Sequence, residues 1–241
     1  MAAQELYTTP LFSDPNLVSY YRLEGNSNDS KGSNNGTDSN ITYSVGNGKF
    51  NQGAGFNSAS PSSINIGSAA GLSPTALTYS AWINPTSFPN AYNSIISRSN
   101  TPTGTPYIAL LVKSTGKLAP YVYGSASISY DGTGTNTLST GSWYLITMTY
   151  DSTNGLICYV NGSVDGTAAA NGNLASVNNS TGIGYDPFYA DRYFNGKIDD
   201  VAIFNRSLTA TEAGYLYNGF PAGNVAGRVL KYQAIKRASY F

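Results

Sequence analysis

The sequence predicts an all-β protein, an antiparallel two-sheet jelly-roll sandwich with one short helix near its C-terminal end. Three observations carry this. Short runs rich in Val, Ile, Tyr, Thr and Trp recur about every ten to fifteen residues, and turn dipeptides separate them. The composition is that of strands and turns: 26 Gly and 20 Tyr, with 11% charged residues against roughly 25% in an ordinary soluble protein. At 241 residues the chain can bury a sizeable core as one domain.

Taken in order, residues 1–16 carry little periodicity and hold Pro10 and Pro15, which predicts an extended N-terminal arm. Strands are predicted at "LVSYYRL" from Leu17, "SINIG", "LTYSAWIN", "NSIISR", "YIALLVK", "APYVYG", "SWYLITMTY", "GLICYVNG" and "KIDDVAIFN". Asn47-Gly48, Asp131-Gly132, Asn154-Gly155, Asn161-Gly162 and Asn195-Gly196 are the turn signals between them. Thr209, followed three residues on by Glu212, reads as a capping box opening a helix that Gly219 and Pro221 end. Its face of Tyr215, Leu216 and Phe220 is expected to lie against the end of the sandwich. Residues 221–241 form a basic tail in which Arg228, Lys231, Lys236 and Arg237 alternate with apolar residues and no acid occurs after Gly227. The tail is either a solvated end or a docking peptide that lays apolar side chains on a neighbour while its cations meet an acidic surface.

Composition excludes more than it assigns. Lysine plus arginine equal aspartate plus glutamate at 13 each, so no overall field gathers nucleic acid or an anionic membrane. No run of about eighteen apolar residues predicts membrane insertion, and no basic-then-apolar leader opens the chain. The one cysteine, Cys158, lies in the apolar run "LICYV" and reads as a small buried hydrophobe. With no histidine, Ser-His-Asp and Cys-His catalysis and histidine-ligated metals are excluded. The only glutamates are Glu5, Glu24 and Glu212, so no strand carries clustered catalytic acids. A phosphate-binding glycine loop is missing too, and the chain is not expected to be an enzyme.

Six fragments in order then identify a family. "LVSYYRLEGNSNDSKGSNNGT", "LTYSAWINP", "IISR", "SWYLITMTYD", "CYVNG" and "GKIDDVAIFNRSLTATE" resemble laminin-G-like domains of the concanavalin A-like jelly-roll superfamily, over residues 17–220. The resemblance implies two packed antiparallel sheets serving as a carbohydrate-binding or adhesive module, often with bound calcium. Where the family often has Trp in the first strand, this chain has Tyr20-Tyr21.

Asp199-Asp200 needs a physical account. Strict strand alternation puts Asp199 with Val201 and Ile203, and Asp200 with Ile198, Ala202 and Phe204. One carboxylate would then point inward, at a cost of several kcal/mol unless something pairs it. Calcium is one remedy; hydrogen bonds from backbone or hydroxyl groups are another. The resemblance implies a calcium shared by Asp199, Glu24 and Asp29, the last two from the loop "LEGNSNDSKGSNNG".

For sugar recognition the candidate is the loop "GYDPFYADRYFNG", with Tyr185, Asp186, Tyr189, Arg192 and Tyr193, because a pyranose offers an apolar C–H face and a rim of hydroxyls. Tyr121, Tyr123 and Tyr130 form a second candidate surface. These tyrosines can equally fill a core edge or a subunit contact. Two functions remain. One is a structural and adhesive virion subunit of a bacteriophage, a decoration or tail-associated protein made in the host cytoplasm and assembled through its termini as a homo-oligomer or with other virion proteins. The other is a free, calcium-assisted lectin-like module at a cell surface or outside the cell. The first is preferred, with host glycans as further partners.

Overall fold

Alternating side chains sort themselves to two faces of each strand, and the sandwich follows from that sorting. The computed structural model describes residues 3–68, 76–99, 107–123, 127–129, 134–170, 172–174 and 180–221. Along them run β1 (Leu17–Tyr21), β2 (Thr37–Ser39), β3 (Thr42–Ser44), β4 (Gly53–Phe56), β5 (Ser63–Asn65), β6 (Ala76–Ser87), β7 (Tyr92–Ser99) and β8 (Tyr107–Lys113). There follow β9 (Tyr121–Tyr123), β10 (Ser127–Ser129), β11 (Tyr144–Asp151), β12 (Gly155–Val160), β13 (Ser163–Ala168), β14 (Thr181–Ile183), β15 (Asn195–Phe204) and helix α1 (Ala210–Asn218). Sheet I has the order β13-β12-β11-β6-β15-β4-β3, with β1 also on β15; sheet II has β10-β9-β8-β7-β14-β5-β2.

All nine predicted strands form, and the short ones that sequence reasoning did not predict are mostly polar or glycine-rich, such as Thr37–Ser39 and Gly53–Phe56. Asn161 and Gly162 have φ of 52° and 75°, the backbone of a two-residue hairpin turn between β12 and β13. Asn195-Gly196 is a correction: it starts β15 as a bulge against β6, where a Cβ at Gly196 would lie 2.4 Å from the Asn84 carbonyl oxygen.

Between the sheets lies the main core. Leu77, Tyr79, Ala81 and Ile83 of β6, Ile146 and Met148 of β11, and Ile198, Val201 and Ile203 of β15 face Ile95, Ile96, Leu110 and Val112 of sheet II. Cys158 is buried there as a free thiol, pushed up by desolvation.

A second core covers the outer face of sheet I. Trp82, Leu145, Ala202 and Phe204 point away from sheet II and meet Leu6, Leu11, Leu208, Leu216 and Phe220. The predicted extended arm is thus partly coiled, with 3-10 turns at Leu6–Thr8 and Pro10–Ser13 that bury Leu6 and Leu11 on this face. The predicted capping box is present: the Glu212 N–H donates to Thr209 Oγ1 at 3.2 Å and the Thr209 N–H to Glu212 Oε2 at 2.9 Å. The helix closes at Gly219, with φ of 81°, whose N–H donates to the Tyr215 carbonyl. It lies on the outer face of sheet I.

Candidate functional site

β15 changes neighbour at the aspartate pair. On one edge Gly196, Lys197 and Ile198 pair with β4, whereas Val201, Ala202, Ile203 and Phe204 pair with β1. Asp199 and Asp200 sit in the seam, where a bulge against β6 breaks the register and Asp200 takes φ of 53°. That conformation is one Asp tolerates better than most residues. The bulge overturns the expectation from strict alternation: Ile198 and Val201 both enter the main core, and both carboxylates turn to the outer face. Neither points between the sheets.

Backbone donors satisfy them there. Asp199 Oδ2 accepts the Lys49 and Phe50 N–H groups at 2.8 and 2.9 Å, and its Oδ1 accepts the Asp200 N–H at 2.8 Å. Asp200 Oδ2 accepts the Leu6 N–H at 3.2 Å, and its Oδ1 accepts the Tyr20 hydroxyl. Burial pushes Asp199 up to about 8 and Asp200 up to about 7, against the lowering effect of these donors.

Glu24 and Asp29 are engaged elsewhere. Asp29 Oδ1 accepts N–H groups of Tyr20, Lys31 and Gly32 at 2.9 to 3.0 Å, and its Oδ2 accepts that of Asn34 at 3.1 Å, so one carboxylate folds the early loop onto β1. Glu24 Oε2 accepts the Gln52 N–H at 3.1 Å. Among the described residues no three His, Cys, Asp or Glu side chains group as a metal site. Calcium wants six to eight oxygens with free lone pairs. Here both oxygens of Asp199 and of Asp29 and the Oε2 of Glu24 already accept N–H groups, and only Glu24 Oε1 of the six has no hydrogen bond, so the set of Asp199, Glu24 and Asp29 does not fit that ion.

Of the sugar-site candidates, Tyr189 and Arg192 meet on the outer face of sheet II. Tyr189, Tyr92, Tyr121 and Tyr123 all pack against a buried floor of Ala109, Leu111 and Ala119. Tyr189 of the first candidate surface thus shares a floor with Tyr121 and Tyr123 of the second. Arg192 lies over Tyr189, 3.7 Å from guanidinium carbon to ring centroid, and 5.1 Å from Tyr92. Asp186 is turned inward, its side chain wholly buried 3.8 Å from Arg192. Its Oδ1 accepts the Ser99 hydroxyl at 3.1 Å and the Phe188 and Tyr189 N–H groups at 2.9 and 3.1 Å, so it shapes the loop. Tyr185 and Tyr193 stack on each other with centroids 6.2 Å apart. A Cβ at Gly182 would come within 2.4 Å of the Tyr185 ring, so that ring uses the space the glycine leaves.

Sequence reasoning missed Tyr92 and the serines beneath the loop. The signal was the polar alternation in β7, where Ser94 and Ser97 lie opposite Leu111 and Ala109 of the outer face. Tyr130, the turn at Asp131-Gly132 and the tail cations Arg228, Lys231, Lys236 and Arg237 lie outside the described residues. Among the described residues no helix is long and apolar enough to cross a membrane.

No curated protein matches the chain by sequence. Among solved structures, domain 4 of a GH43 extracellular arabinanase from Geobacillus stearothermophilus, in complex with arabinotriose, is 21% identical with a TM-score of 0.70, over 84% of this chain and 98% of that one. The binding domain of Paraclostridial Mosquitocidal Protein 1 is 18% identical with a TM-score of 0.64, over 84% of this chain and 52% of its own. The botulinum neurotoxin serotype G binding domain is 20% identical with a TM-score of 0.60, over 84% and 50%. At these identities the likeness is one of fold. The family assignment comes from sequence: residues 57–214 match a laminin-G model, and the chain belongs to the concanavalin A-like lectin/glucanases superfamily.

Proposed function

We propose that the protein is a non-catalytic carbohydrate-binding, adhesive module that meets its glycan on the outer face of sheet II. One observation carries this reading: Tyr92, Tyr121, Tyr123 and Tyr189 converge, half-buried, on one apolar floor with Arg192 against them. Rings already fixed by packing lose little freedom on binding, and they suit the C–H face of a sugar. The arabinotriose held by the arabinanase domain makes saccharides of that kind the first ligands to try. The described acids Asp186, Asp199 and Asp200 do not face one another across this surface. A retaining glycosidase needs two carboxyls about 5 Å apart across the sugar; Asp186 is turned inward, Asp191 is exposed in the same loop, and Asp199 and Asp200 lie on the other sheet.

The test is calorimetric titration of arabino-oligosaccharides and a broad glycan panel into wild type, Tyr121→Ala and Tyr189→Ala. Each substitution is expected to weaken binding roughly threefold to tenfold, the worth of one aromatic contact. Absence of binding across the panel defeats the reading.

The tail favours a second role, as a subunit of a virion surface. Arg228, Lys231, Lys236 and Arg237 occur with no acid after Gly227, a pattern suited to docking on an acidic neighbour. Light scattering of the full chain beside one ending at Pro221 tests it. An oligomer that becomes monomeric on truncation is the expected result, and a monomer in both cases removes the assembly role.

A further inference from the structure

We propose that the sheet II face takes its glycan as an extended chain, several sugar units laid slantwise across β8, and not as one terminal sugar. This rests on the carbohydrate reading above and goes further, to the form of the saccharide.

The rings are strung out along a strand and not gathered round a point. The register of sheet II places Tyr121 level with Ala109 of β8, and Tyr92 level with Lys113. Tyr123 follows Tyr121 on a strand antiparallel to β8, so it lies further still from Tyr92, towards the start of β8. At about 3.3 Å per residue, Tyr121 and Tyr92 are about 13 Å apart along β8, and Tyr123 and Tyr92 about 20 Å. The line also crosses from β9 over β8 to β7, two strand spacings of about 4.8 Å each. Tyr189 belongs to the Tyr92 end, because Arg192 lies against both rings.

Between the two ends nothing bulky interrupts the line. Leu118 bridges Val112 and the Ala119 N–H donates to the Leu111 carbonyl at 2.9 Å, so Ala119 prolongs the line of β9 beside Leu111. Ala109, Leu111 and Ala119 are all buried, and none of them rises above the rings.

A pyranose unit advances its chain by about 5 Å, as ring bonds of about 1.5 Å dictate, so about four units cover the distance from Tyr123 to Tyr92. One sugar would touch a single ring or two neighbours and leave the rest of the aromatic surface in water. Each unit added along the line meets a further ring already held by packing, at little cost in side-chain freedom.

Calorimetric titration of arabino-, xylo- and cello-oligosaccharides of one to six units into the full chain tests the inference. In at least one series, affinity is expected to rise about tenfold or more between one unit and four, and to level off beyond. Tyr92→Ala and Tyr123→Ala, at opposite ends of the line, should each weaken binding of the tetrasaccharide roughly threefold to tenfold. A single sugar cannot reach both rings, so loss from both variants marks an extended ligand. Tyr121→Ala replaces Tyr123→Ala if the latter fails to fold, since its distance from Tyr92 also exceeds one sugar. A monosaccharide that binds as tightly as the tetrasaccharide, or a tetrasaccharide weakened by only one of the two variants, overturns the extended chain and leaves the carbohydrate reading standing. No binding by any of the three series also overturns it, and the broad glycan panel then decides the carbohydrate reading separately.

Discussion

At the residue scale, two adjacent carboxylates behave differently because their donors differ. Asp199 accepts three backbone N–H groups, and an amide in its place would set an NH2 against at least one of them. Asp199→Asn is therefore expected to cost about 1–3 kcal/mol, the penalty of a buried donor without an acceptor, read by urea denaturation. Asp200 accepts one N–H and one hydroxyl, and the Tyr20 hydroxyl can turn to accept from an amide. Asp200→Asn should thus be the milder change, and equal losses would contradict this account of the seam. The same pair sets a pH dependence. Its folded pKa values, about 8 and about 7, lie above the ordinary 3.8, so the native state holds protons that the unfolded chain has released. That contribution is full below about pH 4 and is lost as pH rises through 7 and 8. Two groups run the other way. Burial raises Asp14, but Asn16 and Arg206 outweigh it and hold it low, while Glu212 is held low first by Arg206; their contribution is lost as pH falls below about 4. Denaturation midpoints should accordingly be higher near pH 5 than at pH 8.5, and the difference should shrink in Asp200→Asn. A midpoint that rises steadily to pH 8.5 would count against protonation of the pair.

At the scale of elements, the arm is the least expected part of the molecule. Its turns bury Leu6 at 2% exposure and Leu11 at 5%, and its far end is tied to the helix by a charged triad. Arg206 donates to Asp14 Oδ2 from Nε at 2.9 Å and to both oxygens of Glu212 at 2.8 and 2.6 Å. Leu6→Ala should cost about 2–5 kcal/mol, as a large-to-small change in a packed site does, whereas an arm resting loosely on the surface would lose less than about 1 kcal/mol. The sequence made the strands and the helix legible because their signals are local: period-two alternation in β6 and β11, and a capping box three residues long. The arm was illegible because Leu6 and Leu11 acquire meaning only beside Phe204, Leu208 and Leu216, which are distant along the chain. The seam was half legible. Asp199-Asp200 announced an anomaly, but the bulge that turns both carboxylates outward depends on β4 ending where β1 begins, which no local pattern records. In the same way the loop 184–196 was visible as an aromatic run, while its merger with Tyr121 and Tyr123 depends on the order β9-β8-β7-β14 of sheet II.

At the scale of the whole molecule, the two outer faces are used differently. Sheet I is closed by the arm and α1, and sheet II keeps a half-buried aromatic surface beneath one loop. Closing sheet I requires irregular segments to be fastened without long ladders of hydrogen bonds, and carboxylates do the fastening. Asp29 folds the early loop onto β1, Glu24 takes the Gln52 N–H, Asp199 takes the next segment at Lys49 and Phe50, and Asp200 takes the arm at Leu6. A calcium ion would compete for the oxygens that these N–H groups already occupy, and would have to break the bonds that shape the loops. A ligand that binds only the native state raises its stability by mass action, so a resident ion must reveal itself in the melt. The melting temperature of the full chain is therefore expected to be the same in excess chelator as in excess calcium, and Asp199→Asn to lower both equally. A chelator-dependent fall, restored by calcium and absent in Asp199→Asn, would mean that the seam opens to an ion and that amides only stand in for it.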